Sequence, residues 1–117
     1  MLIYLLRFFR IGALLLFAHS SLAWGGDVAE GIMAPSSARQ VELLNLVRQD
    51  CGSCHGLWLG GGLGLPLTPE ALREKSPEAL KAVILHGRNG TTMPPWNPFL
   101  TDAEAGWIVQ MLMKGLP

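Results

Sequence analysis

The sequence predicts an all-α domain of four to five short helices, and three observations support that prediction. Apolar residues recur at helical spacing in two stretches, hydroxyl residues stand at the expected helix starts, and no stretch shows the alternating pattern of a strand. The 117-residue chain carries nine basic and nine acidic side chains. Because the net charge is zero and no basic patch occurs, the composition argues against nucleic-acid binding.

Residues 1–23 are expected to be a signal peptide. Their only charges are Arg7 and Arg10, an apolar stretch follows at 11–18, and Ser21-Leu22-Ala23 fits a processing site. The apolar stretch is shorter than the roughly 20 residues that span a bilayer, so we expect a periplasmic protein with no membrane anchor. Cleavage after Ala23 leaves 94 residues with seven basic and nine acidic side chains, a formal charge of −2.

The first helix is predicted to run into a pair of cysteines. Residues 24–35, with three Gly and one Pro, are interpreted as a flexible tail, and residues 36–117 as the folded domain. Ser37 and Gln40 have the spacing of a capping box. Beyond them, apolar residues fall on one arc of a helix: Leu43, Leu44, Leu46, Val47 and Cys51.

Prolines and glycines divide the rest of the domain. Residues 56–67 contain five Gly and Pro66 and are predicted to be a loop. Thr68-Pro69 and Ser76-Pro77 each place a cap before a proline, which predicts helices at about 69–75 and 77–86. Residues 88–100, with three prolines, form a second predicted loop.

The last helix begins at Thr101, which forms a predicted capping box with Glu104, and it ends near Gly115. Its apolar face comprises Ala105, Ile108, Val109 and Leu112. So few helices around such long loops cannot close a core alone, and small domains with this deficit commonly depend on a disulfide, a metal or a cofactor.

Cys51-Gly-Ser-Cys54-His55 is the C-x-x-C-H signature of c-type haem attachment. Two thiols one helical turn apart can reach both vinyl groups of one porphyrin edge, and the adjacent His55 then becomes the proximal iron ligand. Three alternatives use the same cysteines: a dithiol redox site, a zinc site completed by His86, and a structural disulfide. Covalent attachment of one haem c is the interpretation that also explains the leader and the small core.

Met93, in a loop stiffened by prolines, is the predicted second axial ligand, because a thioether favours the ferrous state expected of an electron carrier. His86 is the competing ligand, although an imidazole before Gly87 commonly caps a helix. Pro66 is a candidate to present its carbonyl to the His55 ring N–H, and Trp96 is a candidate pocket residue.

Several segments resemble the class I cytochromes c, and the resemblance extends over essentially the whole chain that follows the predicted signal peptide. More narrowly, they are similar to the small periplasmic monohaem cytochromes found alongside the haem-d-containing nitrite reductase of denitrifying bacteria, and to that enzyme's own haem-c domain. The matching segments are Cys51-Gly-Ser-Cys-His-Gly56, Gly64-Leu-Pro-Leu-Thr-Pro69, Leu85-His-Gly-Arg-Asn-Gly-Thr-Thr-Met-Pro-Pro-Trp96 and Leu100-Thr-Asp-Ala-Glu104. Many cytochromes of this class place Gly directly before Pro after the haem motif, whereas Leu65 intervenes here.

The resemblance implies a class I cytochrome c fold wrapped around one haem, and an electron carrier rather than an enzyme. Its expected partner is a redox protein, either haem-d nitrite reductase, to which it would donate electrons, or the machinery that matures haem d, from which it would accept them. A haem-based redox or gas sensor, or a peroxidatic enzyme, stays open as a different class.

Apolar side chains are expected to surround the exposed haem edge for docking. The candidates are Trp58, Leu59, Leu63 and Trp96, with Trp96 alternatively packed against the porphyrin, and Trp107 with Met111 as a second patch.

Overall fold

The computed structural model describes residues 34–117. The predicted signal peptide and nearly all of the predicted tail lie outside the described residues. The described part contains five α-helices and no strand: α1 (Ser37–Leu46), α2 (Gly52–His55), α3 (Pro69–Leu72), α4 (Pro77–His86) and α5 (Asp102–Lys114). No helix among them is long and apolar enough to cross a membrane.

A π-helical segment, Val47–Cys51, joins α1 to α2, so the backbone is helical without interruption from Ser37 to His55. This agrees with a single predicted helix running into the cysteines. A regular 3.6-residue pattern does not reveal the π segment, which widens the helix up to Cys51, the first residue of the C-x-x-C-H motif. Such segments occur frequently at functional sites.

The helix starts follow the predicted capping chemistry, with one displacement. The Ser36 hydroxyl, not that of Ser37, accepts a hydrogen bond from the Arg39 N–H at 3.4 Å. Gln40 donates its side-chain N–H to the Pro35 carbonyl instead of completing a capping box. The capping-box prediction for α1 was therefore wrong by one residue, because either of two adjacent serines can act as the cap.

Helix α3 is shorter than predicted, because it makes a single turn and ends at Leu72. Beyond Leu72 the chain makes a turn instead of further helix, since the Lys75 N–H donates to the Leu72 carbonyl at 2.9 Å, only three residues back. Helix α4 has the predicted bounds.

Helix α5 organises the core, since it packs against α4, α3 and α1. Its four predicted apolar residues are all buried, and Leu43 and Val47 of the first helical run pack into the same cluster. Trp107 is also buried, at 7% exposure, and Met111 is half-buried against the core. The predicted second docking patch on α5 was therefore wrong, because neighbours surround this helix on several sides.

An ion pair ties the start of α1 to the start of α5. The Arg39 Nε donates to Glu104 Oε1 at 2.6 Å, and Nη1 donates to Glu42 Oε2 at 2.8 Å. Glu104 also completes the predicted capping box with Thr101, whose N–H donates to Oε2 at 2.8 Å. These hydrogen bonds lower the pKa of Glu104 to about 2.

Candidate haem-binding site

A cavity of about 490 Å³ opens between α2, the loop that follows it, α4, α5 and the loop before α5. Its size falls within the range of about 300–1,000 Å³ typical of cofactor sites. Its wall brings together five of the six residues selected from the sequence: Cys51, Cys54, His55, Met93 and Trp96. Most of the remaining lining is aliphatic, and it comes from α1, α4, α5 and the two loops.

Cys51 and Cys54 lie one helical turn apart, and both are free thiols. Burial, with a smaller contribution from Asp50, raises the pKa of Cys51 to about 11. A redox-active dithiol needs a thiol whose pKa is lowered, so this environment argues against the dithiol alternative. Among residues 34–117, no group of three His, Cys, Asp or Glu side chains could hold a metal ion, so the zinc alternative has no geometric support there.

The His55 imidazole is oriented by a backbone carbonyl. Its Nδ1 lies 2.6 Å from the carbonyl oxygen of Leu65. A carbonyl can only accept a hydrogen bond, so Nδ1 carries the proton and Nε2 keeps the lone pair that can bind a metal. A hydrogen bond of this kind fixes the tautomer of a ligating histidine and increases its basicity.

This carbonyl was predicted to belong to Pro66, and the structure corrects that assignment by one residue. Pro66 is exposed and does not line the cavity. It can still act on the site indirectly, since a proline restricts the preceding residue to extended conformations and so limits where the Leu65 carbonyl points. The extra residue between glycine and proline is the one that supplies the acceptor.

The glycine-rich loop packs its backbone directly on the haem-attachment motif. The Gly61 N–H donates to the His55 carbonyl and the Gly64 N–H to the Cys54 carbonyl, both at 2.8 Å. These bonds satisfy carbonyls left free at the end of α2. A Cβ at Gly64 would lie 2.6 Å from Nδ1 and Cε1 of His55, so only glycine fits against the ring. The sequence pattern predicts this loop but does not reveal its contact with the His55 ring.

Met93 reaches the cavity from a loop that caps α4. The N–H groups of Trp96 and Asn97 donate to the Ile84 and Leu85 carbonyls at 3.0 and 3.1 Å. Gly87 approaches the same segment so closely that a Cβ on it would lie 2.7 Å from the Met93 carbonyl oxygen. The competing ligand, His86, is exposed and does not line the cavity.

The aromatic and apolar candidates divide between the cavity and the surface. Trp96 is half-buried in the cavity wall and makes an edge contact with Phe99, with ring centroids 6.0 Å apart. Trp58 is 93% exposed, whereas Leu59 is only 7% exposed and cannot contribute to a docking surface as predicted. The backbone of Leu59 has a left-handed φ of 56°, so the chain turns at this residue, next to the exposed Trp58.

The residues present fit a covalently attached haem c. The cavity combines two thiols at C-x-x-C spacing, an imidazole with a free Nε2, a thioether and an apolar wall. These are the groups by which proteins attach and ligate haem c.

Comparisons with known proteins agree with this chemistry. The family model described as cytochrome c oxidase, cbb3-type, subunit III matches residues 39–112. Cytochrome c55X of Pseudomonas aeruginosa is 56% identical over 69% of this chain and 68% of its own length. Cytochrome c55X of Paracoccus denitrificans is 56% identical over 68% of this chain and 78% of its own length.

Solved structures give the same result. The c-type cytochrome NirC superposes with a TM-score of 0.69 at 55% identity, covering 70% of this chain and 96% of NirC. The dihydro-haem d1 dehydrogenase NirN in complex with DHE superposes with a TM-score of 0.57 at 41% identity, over 62% of this chain but only 16% of NirN. The chain therefore belongs to the family described as cytochrome c oxidase, cbb3-type, subunit III. Within that family it is one of the monohaem c-type cytochromes of the c55X kind, which are electron carriers that bind haem covalently through two cysteines.

Proposed function

We propose that this protein is a periplasmic electron carrier that donates single electrons to a haem-d nitrite reductase, with His55 and Met93 as the axial ligands of its haem iron. The observation that carries the proposal is that these two side chains line one cavity. His55 ends helix α2 and is oriented by the loop that follows it, and Met93 lies on a loop that hydrogen-bonds the carbonyl end of α4. The relationship to cytochrome c55X and to a protein named for haem d1 supports the link to nitrite reduction.

The residues of this chain have distinct parts in that function. Cys51 and Cys54 attach the haem, and the Leu65 carbonyl keeps the His55 Nε2 lone pair available for the iron. The haem, when bound, supplies a one-electron ferric–ferrous couple. With His55 and Met93 both bound, the iron would offer no open coordination site to a small substrate, which favours electron transfer over catalysis and over the sensor alternative.

The opening of the cavity is suited to brief contact with a partner. Leu63, Leu65 and Val83 line the cavity and are exposed at its surface, and one acidic and one basic side chain, Asp50 and Arg88, lie on the same wall. Small apolar contacts are typical of short-lived electron-transfer complexes. A wall with balanced charges gives little long-range attraction to a charged partner.

A second function is favoured by one comparison. The dihydro-haem d1 dehydrogenase of Pseudomonas aeruginosa is 38% identical to this chain over 79% of it, although the match spans only 17% of that protein. A carrier similar to part of such a protein is suited to accept the electrons that an oxidation of dihydro-haem d1 releases. The haem site would be the same in both roles, and the direction of electron flow would differ.

A clean deletion grown anaerobically on nitrite separates the two roles. If the protein is a donor, the reductase accumulates with both haem c and haem d, nitrite reduction in cells is slow, and another periplasmic carrier of suitable potential restores it. If the reductase accumulates with haem c but without haem d, the donor proposal is wrong and the maturation role replaces it. Haem content of the purified reductase is the deciding measurement.

Export is proposed from residues 1–23 alone. Mass spectrometry of the periplasmic fraction should find a chain that begins at Trp24 and carries one haem that resists acid-acetone extraction. Retention of the first 23 residues contradicts the processing prediction, and extractable haem contradicts covalent attachment.

A further inference from the structure

The loop that presents Met93 is closed by a side chain as well as by backbone hydrogen bonds. The Thr91 hydroxyl donates to the Arg88 carbonyl at 2.7 Å and accepts from the Met93 N–H at 3.2 Å. The Arg88 N–H in turn donates to the Met93 carbonyl at 3.2 Å. Both polar backbone groups of Met93 are therefore held, one by the chain leaving α4 and the other by Thr91.

Thr91 can be altered without disturbing the core. Its side chain is exposed, and throughout residues 34–117 no other side chain hydrogen-bonds the backbone of Met93. The neighbouring Thr92 is also exposed and lines the same cavity, but its hydroxyl makes no hydrogen bond within that range. The two threonines therefore form a matched pair that differs in contact with the Met93 backbone.

We propose that Thr91 is a positioning residue whose hydroxyl holds the Met93 backbone with the thioether toward the cavity, and so limits how readily an exogenous ligand displaces the methionine. This inference rests on the proposed axial role of Met93. In this proposal the methionine leaves the iron together with its backbone segment, and that displacement breaks the hydrogen bond between the Met93 N–H and Thr91. The hydrogen bond thus stabilises the methionine-ligated state selectively.

Imidazole binding to the ferric holoprotein tests this proposal. Thr91→Val removes the hydroxyl at nearly constant volume, and one lost hydrogen bond corresponds to about two- to ten-fold in an equilibrium constant. We expect the imidazole Kd of Thr91→Val to fall by about three- to ten-fold, while that of Thr92→Val stays within about two-fold of wild type. Thr91→Ser, which keeps the hydroxyl, should restore the wild-type Kd.

Several results overturn the proposal. They are an unchanged Kd in Thr91→Val, an equal change in Thr92→Val, or no rescue by Thr91→Ser. A lower denaturant midpoint for Thr91→Val with an unchanged imidazole Kd assigns Thr91 a purely structural role and also overturns it.

Met93→Ala keeps the two proposals distinguishable. If Met93→Ala binds imidazole no more tightly than wild type and the magnetic resonance signature of an iron-bound methionine persists, the axial assignment itself fails. If Met93→Ala opens the iron but Thr91→Val behaves as wild type, only the inference about Thr91 fails.

Discussion

Replacing Gly64 by alanine should destabilise the protein, because the added methyl group would collide with the His55 ring. The added Cβ would lie 2.6 Å from both Nδ1 and Cε1 and 3.0 Å from Nε2. Ordinary contacts between heavy atoms begin near 3.5 Å, so either the ring or the loop must move by almost 1 Å. Moving either one also disturbs the hydrogen bond between His55 Nδ1 and the Leu65 carbonyl.

The magnitude follows from these two effects. Overpacking of a well-packed site costs about 1–3 kcal/mol, and a weakened hydrogen bond adds about 0.5–1.5 kcal/mol. We therefore expect Gly64→Ala to lower the free energy of unfolding of the holoprotein by about 2–3 kcal/mol. Because the ring orientation changes, the visible spectrum and the reduction potential should change with it.

Gly60→Ala is the matched control, since a Cβ there meets nothing within 4 Å. Neither glycine has a positive φ, so the two substitutions differ in available space and not in backbone strain. Gly60→Ala should be neutral or stabilising by about 0.5 kcal/mol, because alanine restricts the unfolded chain. Denaturant unfolding followed by circular dichroism and haem absorbance measures both variants. Equal unfolding free energies for the two would refute the steric argument.

Three further predictions concern the axial ligand, acid stability and docking. Met93→Ala should lose the iron–sulfur signature in magnetic resonance, lower the reduction potential and keep its haem. Met111→Ala, the control, should lower stability by about 2 kcal/mol but keep the signature. Loss of six-coordination in His86→Ala instead would contradict the assignment of Met93 as the ligand. The pKa of Glu104 is lowered from 4.5 to about 2, so its stabilisation is complete above about pH 4.5 and is lost as the pH falls toward 2. Glu104→Gln should therefore be less stable at pH 7 by about 1–2 kcal/mol, a modest value because solvent weakens an ion pair whose Arg39 side chain is 36% exposed. In urea titrations the difference in unfolding free energy should disappear near pH 2, and a difference independent of pH would contradict the prediction. Stopped-flow electron transfer to a purified haem-d nitrite reductase should slow by less than about three-fold between low and high salt, and a steep dependence would exclude the proposed apolar docking.

Most of the fold was predictable because its signals are local. The caps at Thr68, Ser76 and Thr101 each involve a hydroxyl and an N–H three residues later, and all three are confirmed. The face of α5 followed from its apolar spacing. The burial of Trp107 did not follow, because it depends on how many neighbours surround α5, which is a property of the whole assembly of helices.

The site was predictable in its residue types and less so in its backbone. The C-x-x-C-H motif and the proline-flanked methionine are short sequence signals, and the structure places both in one cavity wall. The acceptor for His55 is a carbonyl, which every residue possesses, so a one-residue error between Leu65 and Pro66 leaves no trace in the sequence. The π segment that ends at Cys51 cannot be recognised in the sequence for a similar reason, since it changes backbone geometry without changing composition.

Both loops at the site solve the same physical problem. A helix end leaves carbonyls without partners, and a long loop has N–H groups that need acceptors. Here Gly61 and Gly64 donate to the end of α2, while Trp96 and Asn97 donate to the end of α4. Each loop is thereby fixed to a rigid element at the point where it holds a proposed ligand. One loop orients His55 through the Leu65 carbonyl, and the other carries Met93.

This arrangement suits an electron carrier in particular. A carrier must keep the same ligands in both oxidation states, because any rearrangement of ligands slows the transfer of an electron. Loops fixed by backbone hydrogen bonds provide that constancy without a large core, and the cavity between them has the lining to take the cofactor. A sensor would require the opposite, a ligand whose attachment is weak enough to break when a small molecule binds. The doubly held backbone of Met93 therefore favours the carrier function, and the imidazole affinity of the Thr91 variants measures how strongly.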